Sequence, residues 1–183
     1  MRPLFTVHAG ELLVGQHIEQ SLKGKNVWVP TKDLGVDLLV TNSKNTKMAT
    51  LQVKFSRDFL PIMKLEIPVI RKLRSCTWFT LDRDKLANSS ADRWVFVLLG
   101  VERGTPDYVV IKPRELLARL KKLHPNSQRY QVYIWVTQEG RARAWLTRGL
   151  SKADQQRIAD NSFESSIRDL TDCLNNWSAI KSL

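Results

Sequence analysis

The sequence predicts an α/β fold in which helices flank a mixed β-sheet. Three observations lead to this class. An amphipathic helix pattern opens the chain, short apolar runs typical of strands follow it, and further helix patterns come after them. With 183 residues and 43% apolar side chains the chain can bury a substantial core. We therefore expect one domain over residues 1–183.

The first helix is predicted over about residues 8–22. Val14, Ile18 and Leu22 recur every four residues, which is the spacing of a buried helical stripe. Gly24 follows the stripe and suits a C-terminal cap.

Apolar runs separated by turn residues predict the strands. The run at residues 94–99 is continuously apolar, as in a strand buried on both faces. Residues 42–47 are polar and turn-rich, and they predict the tip of a hairpin. The patterns between residues 60 and 88 predict no definite element. The predicted strands cover residues 27–29, 35–41, 50–55, 94–99, 108–111 and 130–137.

Two helices are predicted in the second half of the chain. Pro113 suits the first turn of a helix that runs through Leu123. Ser151 and Asp154 form a capping-box pattern, which predicts a C-terminal helical extension over about residues 151–180.

Charge and cysteine content narrow the classes of function. The chain has 29 basic and 18 acidic residues, a net charge of +11, which favours a polyanionic partner such as nucleic acid. Ribosome-associated and membrane-surface proteins share this balance. Cys76 and Cys173 lack metal-ligand spacing and predict reduced thiols. Without a signal-peptide pattern or an apolar run that could cross a bilayer, we expect a cytoplasmic protein with no membrane contact.

Polar residues gather in the predicted hairpin. Gln52 and Lys54 are two residues apart on one strand, so they share a face, while the residues between and beside them are apolar. If the turn centres near residue 45, Asp37 lies opposite about residue 53, within side-chain reach of both. The hairpin therefore predicts one carboxylate, one amide oxygen and one ammonium group at one place.

Glu11 is the fourth member of this group. It shares a helix face with Ile18, so it should lie at the edge of the helix that faces the sheet. A carboxylate buried there needs a partner, which a metal ion or Lys54 would supply. Hard divalent cations prefer oxygen ligands, and such an ion polarises a phosphodiester and activates a bound water. We therefore expect Mg²⁺, with Mn²⁺ as an alternative.

This arrangement resembles the PD-(D/E)XK phosphodiesterases, nearest to their Holliday-junction-resolvase-like and restriction-type branches. The matching stretches are HAGE at residues 8–11, GVD at 35–37 and LQVKFS at 51–56. The resemblance implies a restriction-endonuclease-like mixed central sheet and a DNA endonuclease. It implies that Asp37 and Gln52 bind metal, that Glu11 assists as a further ligand, and that Lys54 is catalytic.

The resemblance has one departure. The family usually carries Glu or Asp where this chain carries Gln52, although some branches have Gln there. A neutral amide contributes less to cation binding than a carboxylate, so the resemblance implies weaker metal binding. A catalytically weak or inactive nucleic-acid-binding module with a nuclease-like fold is therefore the alternative.

Basic residues surround the candidate site. Residues 44–74 contain eight basic and two acidic residues, a local charge of +6. DNA phosphates are expected here, and a homodimer is expected if both strands of a duplex are cut. An ordinary lysine-rich surface, or a basic face that meets an acidic protein, are the other interpretations. The predicted DNA contacts are Lys32, Lys44, Ser56, Arg57 and Lys64.

Overall fold

The computed structural model describes residues 9–32, 34–60, 65–100, 105–138 and 140–183, and its elements confirm the α/β class. The helices are α1 (Ala9–Ser21), α2 (Ile67–Ile70), α3 (Arg83–Ala87), α4 (Pro113–Leu123), α5 (Lys152–Ala159) and α6 (Ser178–Lys181), with a 3₁₀ turn at Thr171–Cys173. The strands are β1 (Lys25–Trp28), β2 (Leu38–Asn42), β3 (Met48–Ser56), β4 (Leu73–Asp82), β5 (Arg93–Leu98), β6 (Asp107–Ile111), β7 (Arg129–Thr137) and β8 (Ala144–Leu146).

The strands form two sheets where the sequence predicted one central sheet. The larger sheet is mixed, with strand order β1-β2-β3-β5-β6; β3 and β5 are parallel and its other neighbours are antiparallel. The smaller sheet is antiparallel, with order β4-β7-β8. β4 was not predicted because Pro61 and Pro68 interrupt the sequence pattern of this region; its pairing with β7 also has an irregularity between Leu73 and Ser75.

Four layers enclose three apolar clusters. α1 and α6 cover one face of the five-stranded sheet. The other face packs against α3, α4 and one face of the three-stranded sheet. α2 and α5 cover part of the remaining face of the smaller sheet. The five-stranded sheet is therefore buried on both sides at its centre, and the residues of β5 from Trp94 to Leu98 are all buried, as predicted.

Helix α1 agrees with the sequence pattern. Val14 and Ile18 are fully buried and Leu22 is nearly so, which confirms the predicted stripe. Gly24 has a φ of +72°, the left-handed conformation expected of a glycine cap. The helix packs closely because Gly10 has no side chain: a Cβ built there would lie 2.6 Å from Phe55 Cβ.

Two glycines of α1 give opposite predictions. Gly10→Ala is expected to lower the free energy of unfolding by about 1–3 kcal/mol, because Phe55 Cβ is tied to the backbone of β3 and cannot yield. Gly15→Ala is the matched control, since its Cβ would meet Val27 Cγ1 at an ordinary 3.7 Å. It should gain about 0.5–1 kcal/mol from helix propensity. Urea denaturation of both variants measures the two shifts, and shifts of the same sign would contradict the close approach.

The C-terminal extension is mostly not helical, so the predicted helix over about residues 151–180 is wrong for its middle part. The chain leaves α5 through Asn161, whose φ is +55°. Beyond it, Arg119 Nη1 donates to the carbonyls of Ser166, Ile167 and Asp169 at 2.8–3.1 Å. These carbonyls therefore accept hydrogen bonds from a side chain instead of from the backbone N–H groups of a helix. The segment instead supplies core residues, namely Phe163, Leu170 and Trp177.

The two cysteines are buried or partly buried thiols, and neither forms a disulfide. Burial raises the pKa of the Cys76 thiol to about 12. Burial also raises the pKa of Cys173 to about 11. Both groups therefore stay protonated near neutral pH.

Among the helices of the described residues, none is long and apolar enough to cross a bilayer.

Candidate active site

The site lies where β3 extends beyond β2. Pairing between these strands starts at Leu38 and Leu51, so residues 52–56 of β3 have a strand partner only on the β5 side. Asp37 immediately precedes β2, and its backbone N–H donates to Leu51 O at 2.8 Å. This register places Asp37 opposite residue 52, one residue from the predicted position.

The carboxylate of Asp37 closes the open edge of β3. Its Oδ2 accepts the backbone N–H of Val53 at 2.6 Å and the Nε2 of Gln52 at 2.7 Å. Within the part of the chain that the structure describes, its Oδ1 has no hydrogen-bond partner. The predicted proximity of Asp37 and Gln52 is therefore confirmed, and one carboxylate oxygen stays available for a ligand.

The amide oxygen of Gln52 lies against the backbone of Gly35. A Cβ built on Gly35 would stand 3.7 Å from Gln52 Oε1 and 3.9 Å from Ser90 Oγ. Gly35 also has a φ of +83°, which side-chain-bearing residues rarely adopt. Glycine therefore keeps this side of Gln52 open, and only the nitrogen side of the amide is held by Asp37.

Lys54 lies on the same face of β3 as Gln52. Its Nζ is 5.3 Å from the ring centroid of Trp94, in cation–π contact. The indole is itself fixed, since its Nε1 donates to Ser89 Oγ at 2.8 Å. The ammonium group is thus held beside the amide without being buried.

An open cleft of about 580 Å³ runs along Gln52 and Lys54. That volume suits a nucleotide-sized ligand. Its opposite wall is α3 and the turn that follows, with Lys85 exposed. The lining residues are Leu34, Gly35, Gln52, Lys54, Asp84, Lys85, Asn88, Ser89 and Ser90.

Glu11 reaches this end of the sheet from the other side. It is 8% exposed and lies on the buried stripe of α1, as predicted. Its neighbour Gly10 packs on Val53 and Phe55, which alternate with Gln52 and Lys54 and so face the opposite way. Across the described ranges, no three His, Cys, Asp or Glu side chains form a metal-binding group. Glu11 therefore starts from the α1 face, opposite to the face that carries Gln52 and Lys54, and the edge of β3 between the two faces is open at residues 52–56.

The predicted DNA contacts have different outcomes. The prediction of Ser56 as a DNA contact is wrong, because Ser56 is only 8% exposed. Its hydroxyl donates to Arg57 O and accepts the backbone N–H of Trp78, so it links β3 to β4. Lys44 is in the hairpin tip, about 20 Å from Lys54 along β3, so it is not part of the cleft. Lys32 and Arg57 are exposed. Lys64 lies outside the described residues.

The far wall of the cleft was missed in the sequence. The polar run Asn88-Ser89-Ser90 is typical of a turn, but no local pattern shows that it lies beside β3. The parallel pairing of β3 with β5, which sets Gln52 beside Trp94, brings it there.

No match was found for this chain among family models, curated proteins or solved structures.

The oxygen atoms of this site fit a hard divalent cation. Asp37 Oδ1 and Gln52 Oε1 are two ligands of the kind that Mg²⁺ takes, and Mg²⁺ commonly keeps several waters in its remaining positions. The Gln52 amide now presents Nε2 to Asp37, so a shared ion requires the amide to turn its oxygen toward the carboxylate. This donor set suits a weakly held, water-rich ion.

Proposed function

We propose that this protein is a Mg²⁺-dependent endonuclease that hydrolyses DNA phosphodiester bonds, with Mn²⁺ as an alternative ion. The observation that carries the proposal is the 2.7 Å contact between Asp37 and Gln52 beside Lys54, at the open edge of β3. The helix that precedes the β1–β2–β3 meander and the mixed sheet support the resemblance to PD-(D/E)XK nucleases.

The residues of the cleft have distinct roles in this proposal. Asp37 and Gln52 would hold the ion, and Glu11 would assist by reaching it from the α1 face around the open edge of β3. When bound, the ion supplies Lewis-acid polarisation of the phosphodiester and lowers the pKa of a bound water. Lys54 stabilises the negative charge that develops on the phosphate during attack, because its ammonium is held in place by the indole of Trp94.

The charge distribution supports DNA as the partner. Lys54 and Lys85 face each other across the cleft, and Lys32 and Arg57 are exposed on the same chain of net charge +11. Contacts of this kind bind phosphates without reading sequence. We infer a cytoplasmic enzyme, and a homodimer if two clefts cut the two strands of a duplex.

Supercoiled plasmid tests the proposal directly. Conversion to the nicked form should require Mg²⁺ or Mn²⁺ and should stop in EDTA. Nicking at an undiminished rate in EDTA would contradict a metal-dependent reaction.

A non-catalytic DNA-binding module is the second candidate, and one observation favours it. Gln52 Nε2 donates to Asp37 Oδ2, so the two side chains bind each other directly without an ion between them. Calorimetric titration with Mg²⁺ and Mn²⁺ separates the two functions. Salt-sensitive DNA binding without metal uptake would favour the binding module.

Gln52→Glu is expected to strengthen metal binding. Without metal, the new carboxylate would face Asp37 and lose the 2.7 Å hydrogen bond, so the melting temperature should fall. Mg²⁺ should restore it, because two carboxylates bind a dication better than a carboxylate and an amide. Thermal melts at increasing Mg²⁺ concentrations measure the effect. The Mg²⁺ concentration that gives half of the full shift should be about tenfold lower for Gln52→Glu than for the wild-type protein.

The matched control is Gln156→Glu in α5. Gln156 Nε2 also donates to an aspartate, Asp160, at 3.0–3.1 Å, but this pair is exposed and far from the cleft in the fold. The Gln156→Glu variant also places two carboxylates together, although Lys72 lies 2.7 Å from Asp160 and partly neutralises them, and no cation site is predicted there. An equal Mg²⁺ response in both variants would contradict a metal site at Gln52.

A further inference from the structure

The outer face of the three-stranded sheet carries aromatic side chains beyond the cover of α2 and α5. Cys76, Trp135 and Trp145 are buried under that cover. Trp78 is 39% exposed, and its cross-strand partner Tyr133 is half-buried. Their ring centroids are 6.1 Å apart with planes tilted by 31°. The two rings therefore form one short aromatic surface open to solvent.

The segment after β3 extends this surface. Asp58 bridges Thr77 and Phe59 N–H donates to Cys76 O at 2.7 Å, so the segment lies along the free edge of β4. Phe59 meets Trp78 edge-on, with centroids 5.8 Å apart. Because residues 57 and 59 alternate with residue 58, Arg57 joins the same face, with its guanidinium 5.0 Å from the Phe59 centroid. We call Phe59, Trp78 and Tyr133 the aromatic platform.

Positive charge flanks the aromatic platform. Arg57 is exposed at one end. At the other end Gln131, two residues from Tyr133 and on the same face, hydrogen-bonds the guanidinium of Arg148. Asp58 lies between Arg57 and Phe59, but its carboxylate accepts the backbone N–H groups of Leu60 and Cys76. Aromatic rings between arginines are complementary to a chain of flat bases joined by phosphates.

The last residues of β3 connect the aromatic platform to the cleft. Ser56, whose hydroxyl accepts the backbone N–H of Trp78 at 3.3 Å, is two residues from Lys54 on β3. Two strand residues span about 7 Å, which is close to one nucleotide step of an extended strand. Phe59, Trp78 and Tyr133 do not line the cleft, so a strand stacked on the rings would continue around the end of β3 to reach the candidate catalytic lysine.

We propose that the aromatic platform binds the unpaired bases of single-stranded DNA by stacking, while Arg57 and Arg148 bind its phosphates. This inference rests on the proposed nuclease function and names its substrate as DNA with a single-stranded region next to the scissile bond. In duplex DNA the faces of internal bases are covered by their neighbours, so stacking on protein rings selects for unpaired bases.

Binding to a fluorescein-labelled oligo(dT) of about 15 nucleotides tests the proposal. An abasic oligonucleotide of the same length offers the same phosphates without bases. Fluorescence anisotropy is measured in EDTA, so that hydrolysis does not interfere. The wild-type protein should bind oligo(dT) at least about tenfold more tightly than the abasic strand. Equal affinities, or tighter binding of a duplex or of oligo(U), would overturn the proposal.

Variants assign the binding to the aromatic platform. Trp78→Ala should weaken oligo(dT) binding by about tenfold and leave abasic binding unchanged, whereas Trp78→Phe should retain most of the affinity. Trp28→Ala is the matched control, because Trp28 is 51% exposed but lies on β1, in the other sheet. An equal loss in the Trp78→Ala and Trp28→Ala variants, or no loss in Trp78→Ala, would overturn the assignment.

Photocrosslinking gives a readout that needs no variant. Oligo(dT) carrying 5-iododeoxyuridine should crosslink to peptides that contain Phe59, Trp78 or Tyr133, and crosslinks found only elsewhere would overturn the assignment. The failure of this inference is distinguishable from failure of the nuclease proposal. Binding in EDTA does not depend on the metal site, and plasmid nicking is measured on a separate substrate.

Discussion

Asp37→Asn should lower Mg²⁺-dependent plasmid nicking by at least about a hundredfold. Even groups that only orient a metal ligand contribute about 10- to 100-fold, and Asp37 is the one carboxylate in direct contact with Gln52 in the described structure. The asparagine oxygen can still accept the Val53 N–H that Asp37 Oδ2 now accepts at 2.6 Å. The fold should therefore survive while the charge that attracts the cation is lost.

Two controls make this result specific. Glu19→Gln removes a carboxylate from the exposed side of α1 and should leave nicking unchanged. The Asp37→Asn protein should also keep its affinity for DNA in EDTA, because the substitution removes a ligand of the ion and no contact with a phosphate. If the Asp37→Asn protein nicks plasmid as fast as wild type, the proposed active site is wrong. If neither protein nicks plasmid and both bind DNA, the binding module is the better account.

The sequence could predict the Asp37–Gln52 contact because a single short turn determines it. Once residues 42–47 are taken as a hairpin tip, strand alternation assigns every residue of β2 and β3 to a face. The one-residue error in register did not matter for Asp37, because a carboxylate can reach both the side chain and the backbone of neighbouring positions.

The far wall of the cleft depends on long-range pairing, and no local pattern contains that information. β4 is joined to β7, and β3 to β5, across insertions of other elements. The cation–π contact of Lys54 with Trp94 follows from the second of these pairings. The sequence also does not show which partner a serine hydroxyl bonds. Ser56 was therefore predicted as a DNA contact, whereas its hydroxyl accepts a hydrogen bond from β4.

The C-terminal segment shows a different limit. Its capping box at Ser151 was a correct signal for the start of α5, where Ser151 Oγ accepts Asp154 N–H at 3.1 Å. A cap says nothing about where the helix ends. The helix ends at a cap of its own, in which Asn161 adopts a φ of +55° and Ser162 N–H donates to Arg157 O at 2.8 Å, and the hydrogen bonds from Arg119 hold the segment that follows.

An ion pair joins the two sheets near the other end of the domain. Arg74 of β4 and Asp107 of β6 are 20% and 6% exposed, and Arg74 Nε lies 2.9 Å from Asp107 Oδ2. The attraction is electrostatic, since among the described residues no acceptor is aligned for a hydrogen bond with Nε. Asp107 Oδ1 also accepts Asn175 Nδ2 at 2.9 Å, and Asn175 in turn accepts the backbone N–H of Tyr108 at 2.8 Å.

Asp107→Ala is expected to lower the free energy of unfolding by about 3–5 kcal/mol, because it leaves the largely buried Arg74 without its counter-charge. Asp107→Asn should cost less, since it keeps an acceptor for Asn175. Asp172→Ala removes an exposed carboxylate from the nearby 3₁₀ turn and should change stability by less than about 0.5 kcal/mol. Urea denaturation measures all three variants.

A double variant separates the loss of the attraction from the burial of an unpaired charge. If an unpaired Arg74 causes most of the damage, Arg74→Met combined with Asp107→Ala should be more stable than Asp107→Ala alone, because the second change removes the stranded charge. Equal losses in the single and double variants would instead assign the effect to the hydrogen bonds around Asn175. Equal losses of unfolding free energy in Asp107→Ala and Asp172→Ala would show that the ion pair does not stabilise the contact between the two sheets.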